Sequence, residues 1–246
     1  HKTILLSRAY RQSSVHPESI ETDPDNALYA RFRMRRLDAE SLRDSILAAA
    51  GTLVRKPFGP PSSIARDPAG RIVVGVDKGT ITKAKVESGG EKDFRRSIYI
   101  ESRRSRPVTV LDTFDAPVMV PHCEMRNETT VAPQALLMMN DTFILENAKR
   151  LAERIRKEKP DDRTAQLQRA WRILYGESPT DSEITRSLAY LDRQTTSLNE
   201  YFSALPKAKD SKDKKKEAAP APDPAAEAMA SLCQILYSSN RFLYIE

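Results

Sequence analysis

Three polar clusters hold the residue types that could do chemistry. The first is "RRLDAESLRD", residues 35–44, with Arg35, Arg36, Asp38, Glu40, Arg43 and Asp44. On a helix these positions face one another at i, i+3 and i, i+4: Arg36 with Glu40, and Glu40 with Arg43 and Asp44. The plain reading is a solvated, salt-bridged face. The sharper one has Arg43 or Asp44 reaching a buried network that would cost several kcal/mol to break. The second cluster, "TFDAPV" with "PHCEMRNETT", sets Asp115, His122, Cys123, Glu124 and Arg126 close together. A cysteine nucleophile there needs a depressed pKa and a base placed in space. A metal needs further ligands at fitting spacing, and none follows, so no metal site is expected. The third is "RNETTVAPQALLMMND", residues 126–141. Its Arg126, Asn127, Thr129, Thr130, Gln134 and Asn140 can each bond main-chain groups where a loop enters a short helix, turns, and starts another.

The chain has only three His and no phosphate-binding glycine loop, GxSxG elbow or HExxH motif. Acid–base chemistry would fall to carboxylates, with Asp115, Glu40 and Asp44 as the weak candidates for a catalytic role.

The elements that must position these groups are mostly helices. Residues 1–14 look like the end of one, with Ile4, Leu5, Ala9 and Tyr10 on a face. "PESIETDPDNA" (17–27) reads as a loop. "RMRRLDAESLRDSILAAAG" is the clearest early helix, with Leu42, Ile46, Ala49 and Leu53 on one side and Gly51 near its end. Residues 57–70 hold four Pro and two Gly and read as an irregular loop. "RIVVGV" and "TITKAKV", joined through "DKG", predict a hairpin, and "RRSIYIESRR" alternates like a strand. A small antiparallel sheet is therefore expected around residues 71–101. After residue 130 the pattern turns helical. Pro133 suits a first turn, and Asn140 or Asp141 can cap the next helix, whose face is Ile144, Ala148, Leu151 and Ile155. A further helix buries Leu167, Ala170, Trp171 and Leu174. "TDSE" at 180–183 has the capping-box form, with Ile184, Leu188 and Leu191 behind it. A last helix, 225–238, presents Met229, Leu232, Cys233 and Leu236, and "RFLYIE" closes the chain as a strand. The fold class is mainly α (α+β), a helical domain with a small inserted sheet, and 1–246 reads as a single domain.

Composition narrows the function classes. Of 246 residues, 39% are apolar and 30% charged, as in a globular chain, and no apolar run is long enough to span a bilayer. The net charge is +6. The linker over 206–224, rich in Lys, Ala and Pro, includes "PKAKDSKDKKKE", with six Lys against three acids, which supplies half of that charge. It has no aromatics interleaved to stack bases, so no nucleic-acid partner is expected. The chain begins at His1 and reads as a piece of a longer protein. Cys123 and Cys233 fit no CxxC, CxxCH or zinc spacing. They are either one disulfide or two buried thiols.

Several stretches taken together resemble a known family: "SRAYRQSS", "DPDNALYARFRMRRLDAESLRDSILAAAG", "RRSIYI", "TFDAPV", "CEMRNETTVAPQALLMMND" and "LCQILYSSNRFLYIE". They are similar to planctomycete-specific domain one, a C-terminal domain of unknown function (1553) of planctomycete multidomain proteins. "AAAG" stands where "AVSG" is typical of it, and "KPFGPP" lacks the usual Gly-Gly. The resemblance places family motif positions on Arg11, Arg36, Glu40, Arg43, Asp44, Arg96, Phe114, Asp115, Cys123, Arg126, Pro133, Gln134, Asn140 and Tyr244. It implies a structural polar network of Arg36, Arg43, Asp44, Arg96, Arg126, Gln134 and Asn140. It also implies export to the periplasm or cell envelope, and upstream domains of the same polypeptide as partners, often cytochrome-c-like. Any haem would sit there, since this chain has no attachment motif and no cofactor of its own is expected. Export favours a bridge between Cys123 and Cys233, which needs their Cα atoms within about 7 Å. The leading expectation is a non-catalytic module supporting redox or polysaccharide-related partner domains. The alternatives are a carbohydrate hydrolase using paired carboxylates and a carbohydrate-binding module built on exposed rings such as Tyr10, Phe32 or Tyr99, with polysaccharide as the partner.

Overall fold

The computed structural model describes residues 1–80, 84–117, 125–160, 162–204 and 223–245. The chain starts with a single turn, α1 (Lys2–Leu5), whose Ile4 and Leu5 stay exposed. The longer helix expected through residue 14 does not form, because no part of it is packed and one turn is marginal without burial. Where a loop was expected, Pro17–Thr22 forms α2. Pro17 occupies the first turn, and His16 Nδ1 accepts from the Ser19 N–H at 3.2 Å. Arg31 closes the other end by donating to Ser19 O (3.0 Å) and Asp23 O (2.8 Å).

Next comes β1 (Arg35–Arg36), then α3 (Ala39–Ala50). Leu42, Ile46 and Ala49 are buried as their spacing requires. Gly51 ends the helix at φ 79, a left-handed cap, and Leu53 lies beyond it.

The sheet region departs from the pattern reading. Residues 57–70 are not wholly irregular, since Ile64–Arg66 forms β2 and pairs antiparallel with β3 (Ile72–Val74). Gly75 follows, and a Cβ there would come 2.6 Å from Val86 Cγ1. That close approach lets the chain change partners, so β4 (Val76–Asp77) pairs with β5 (Val86–Glu87). Of the expected hairpin, the described residues show two residue pairs, and residues 81–83 of its second strand lie outside them. The alternating 95–104 run is not a strand. It contains a 3-10 helix, Ser97–Tyr99, after another at Gly90–Phe94, and its main chain pairs with earlier segments at the single bridges Val54↔Arg95 and Ser62↔Ile100. Side chains of α3 occupy its main-chain groups, as described below, and so displace a ladder.

Helices α4 (Thr109–Thr113), α5 (Ala132–Asn140), α6 (Thr142–Glu158), α7 (Arg163–Leu174), α8 (Asp181–Ala204), α9 (Pro224–Tyr237) and α10 (Asn240–Leu243) complete the fold, before β6 (Tyr244–Ile245). Asp141, not Asn140, caps α6 through the Phe143 N–H, at 2.8 Å. Thr180 and Glu183 form a reciprocal capping box on α8, with bonds of 2.7 and 3.3 Å. The Lys-rich linker lies outside the described residues up to Asp223, which caps α9. Helix α9 packs chiefly on α6 and α8, and α3 on α6. One apolar core runs from Ala39 to Phe242, with Ile46, Ile144, Leu151, Ile155 and Leu167 at its centre. The closing "RFLYIE" is first α10, then β6, which pairs antiparallel with β1 through Arg36↔Tyr244. The fold is mainly α with small antiparallel two-stranded sheets.

Candidate functional site

A cleft of about 590 Å³ lies between α3, the 96–107 segment and α4. Glu40 and Asp44, one turn apart on α3, line it together with Arg96 and Arg126. Asp115 is not on its wall; its neighbours Ala116 and Pro117 are.

Each of the three candidate carboxylates is already engaged. Glu40 receives a two-pronged bond from Arg126, at 2.7 and 3.1 Å, and Asp38 lies 3.7 Å from the same guanidinium. Burial alone would raise the Glu40 carboxyl, but Arg126 outweighs it and holds the group below the ordinary carboxylate value. Asp44 Oδ1 accepts from both the Ser97 N–H and the Ser97 hydroxyl at 2.7 Å, while its Oδ2 lies 3.4 Å from Arg96 Nε.

Asp115 sits at φ 61 in the turn after α4. Its Oδ2 takes the Arg36 guanidinium at 2.7 Å and the Thr129 N–H at 2.8 Å, and its Oδ1 takes the Thr129 hydroxyl at 2.9 Å. Burial pushes its pKa up, but the Thr129 N–H, Arg36 and the Thr129 hydroxyl together hold it below its usual value. Arg36, buried against the Phe114 ring, also donates to Thr129 O (2.6 Å) and Phe114 O (3.2 Å). Gln134 Nε2 adds bonds to Thr113 O and Thr129 O, both 3.1 Å. The Thr130 hydroxyl meets the Tyr244 hydroxyl at 3.2 Å, which ties the same loop to β6. The polar stretch at 126–134 therefore fastens the loop before α5 to the end of α4 and to the β1–β6 pair.

Arg43 plays the matching part on the other side of α3. Its guanidinium is buried and donates to Arg95 O (2.9 Å), Asp93 O (2.6 Å) and Ser97 Oγ (3.3 Å). Burial lowers its pKa to about 10, with Asp44 and Asp93 pulling the other way, so it stays charged at neutral pH. Arg95, which sequence reasoning did not single out, continues the chain of clamps. It is buried, stacks 3.9 Å from the Tyr99 ring centre, and donates to Pro60 O and Phe58 O, both at 2.6 Å. The doubled arginine at 95–96 was its only mark in the sequence. Thr129 and Ser97 were equally illegible as carboxylate partners, since nothing local couples them to Asp115 or Asp44.

Among the network expected from sequence, the structure joins Arg36 with Gln134, through Thr129, and Arg43 with Asp44 and Arg96. Arg126 binds Glu40, and the Asn140 side chain donates to Leu136 O of its own helix, at 2.9 Å. Cys233 is a free thiol at the centre of the core, and burial pushes its pKa up to about 12. Its expected partner Cys123 lies outside the described residues, as do His122 and Glu124. Of the candidate sugar platform, Tyr99 is covered by Arg95, Phe32 is half-buried, and Tyr10 is exposed. Among the described residues no group of three His, Cys, Asp or Glu could hold a metal ion, and no helix is long and apolar enough to cross a membrane.

No curated protein and no solved structure matches this chain. One family model does match, over residues 1–191, from the N-terminus into α8, a span that contains all the arginine clamps described above. The chain belongs to the PSD1 family, proteins of unknown function (DUF1553).

Proposed function

We propose that this chain is a non-catalytic module of an exported multidomain planctomycete protein, joined to redox (cytochrome-c-like) or polysaccharide-related partner domains. Any haem belongs to those domains and lies outside this chain. One observation carries the reading: Glu40, Asp44 and Asp115 are all bound by guanidinium or main-chain donors, and Glu40 and Asp115 are held below the ordinary carboxylate range. A glycoside hydrolase needs one carboxyl kept protonated as an acid, with its pKa raised, and a second left free to act. The same arrangement favours a rigid frame for loops, which a docking module requires.

The test is incubation of the chain with a panel of algal and bacterial polysaccharides, with assay for new reducing ends. The expected result is none. New reducing ends that disappear in Glu40→Gln would overturn the proposal.

A further inference from the structure

All five residues of the loop at 57–61, "PFGPP", are exposed. Phe58 is 82% exposed, and its backbone lies at φ 60, a left-handed conformation that a bulky residue rarely adopts. Three hydrogen bonds hold it there. The Phe58 N–H donates to the Tyr99 hydroxyl at 3.1 Å, and buried Arg95 donates to Phe58 O and Pro60 O, both at 2.6 Å. A strained backbone persists only where its surroundings over-determine it. What these bonds fix is an apolar ring held out in solvent.

The same bonds leave the loop few main-chain groups that need water. Its three prolines have no N–H, the Phe58 N–H is bonded inward, and two of its carbonyls are taken by Arg95. A sugar is oriented by hydrogen bonds as well as by a ring, and this tip has little to offer it. An apolar medium asks for main-chain groups already satisfied beneath a bare ring.

Charge decides which apolar medium. Arg55 and Lys56, just before the loop, are exposed and have no hydrogen-bond or ion-pair partner among the described residues. The Gly90–Phe94 turn lies against the loop's flanks through Val54 N–H to Phe94 O (2.8 Å) and the Ser62 hydroxyl to Lys92 O (2.6 Å). Its exposed Lys92 and Glu91 cancel, and its Asp93 carboxylate is taken by the Ser88 hydroxyl and the Gly89 N–H. Glu101, whose N–H bonds Ser62 O, has its carboxylate on Arg103. Arg55 and Lys56 are left uncancelled.

We infer that the 57–61 loop seats this chain on an anionic membrane surface, with the Phe58 ring at the headgroup–acyl boundary and Arg55 and Lys56 against acidic headgroups. Burial of the ring and attraction of the two cations both add to such binding. The contact is peripheral and reversible, since one ring and two cations fall far short of a spanning helix.

The experiment is cosedimentation of the full chain with vesicles of equal parts phosphatidylcholine and phosphatidylglycerol, beside vesicles of phosphatidylcholine alone. Pelleting with the acidic vesicles is expected, and it should fall as salt rises. Phe58→Gly, which suits the left-handed φ, should weaken it about tenfold with the melting temperature unchanged. Arg55→Ala combined with Lys56→Ala should also weaken it about tenfold. No pelleting, equal pelleting with phosphatidylcholine alone, parent-like binding by Phe58→Gly or by the double variant, or binding of soluble polygalacturonate that Phe58→Gly abolishes would each overturn the inference. The loop shares no residue with Glu40, Asp44 or Asp115 and their partners, so its failure would leave the non-catalytic reading standing.

Discussion

The helical part of this protein and its loop part are held by different physics. In α3, α6, α7 and α9, stability comes from apolar side chains repeated at the helical period and buried together, such as Ile46, Leu151, Leu167 and Cys233. Among its described residues, the region from Val54 to Thr130 buries fewer apolar side chains: Ile64, Ala65, Val108, Val110 and Phe114. Guanidiniums stand in for a core there: Arg43 and Arg95 hold the carbonyls of residues 58, 60, 93 and 95, and Arg36 holds those of 114 and 129. Hydrophobic burial is non-directional and tolerates repacking. A buried cation must be satisfied donor by donor, so these clamps fix loop geometry more tightly than loop composition suggests.

The largest effect should come from the core. Leu151→Ala should cost about 3–5 kcal/mol, read as a lower denaturant midpoint with the whole chain unfolding in one transition. Arg43→Met keeps most of the buried stem but strands the carbonyls of Asp93 and Arg95, so it should cost about 2–4 kcal/mol. If it costs as little as an exposed charge, the contrast between the two halves is wrong.

Asp115→Asn should cost about 2 kcal/mol at neutral pH, since Arg36 then loses its charged partner. It should also change the acid limb. The folded Asp115 carboxyl titrates below its unfolded value, so its contribution is fully present above the unfolded value, near pH 4, and is lost as the pH falls through the lower folded value. Thermal melts of Asp115→Asn should therefore fall less steeply on acidification than those of the parent chain. The smallest effect belongs to Glu40→Gln, under about 1 kcal/mol, because the Arg126 pair is partly exposed. A larger loss there would mean that the cleft wall is part of the framework.

The same contrast explains what could be read from the sequence. The faces of α3, α6 and α7, the Thr180–Glu183 box and the Gly51 cap follow from spacing alone, because helix burial is periodic. The 95–104 segment reads like a strand because Ile98 and Ile100 alternate with polar neighbours. Ser97–Tyr99 forms a 3-10 helix within it because Arg43 and Asp44 take the Asp93 and Arg95 carbonyls and the Ser97 N–H. That pairing spans some fifty residues and leaves no local trace. For the site, the polar residues of 126–134 were legible as binders of main chain, but their partners were not. Arg36 finds Asp115 and Thr129 only once β1 is laid against β6, and Arg95 carries no signal beyond its neighbour. Pro17 reads equally as loop former or helix starter, and His16 as its cap tipped the balance toward α2.

Amide hydrogen exchange of Arg43→Met against the parent chain tests the central claim most directly. If buried guanidiniums hold the loops while the apolar core holds the helices, exchange will accelerate at the amides of residues 54, 62, 97 and 99–101, whose hydrogen bonds depend on the clamped segment, while α6 and α9 keep their protection. Uniform acceleration across α6, α9 and the loops, or no change at 97 and 99–101, would contradict it.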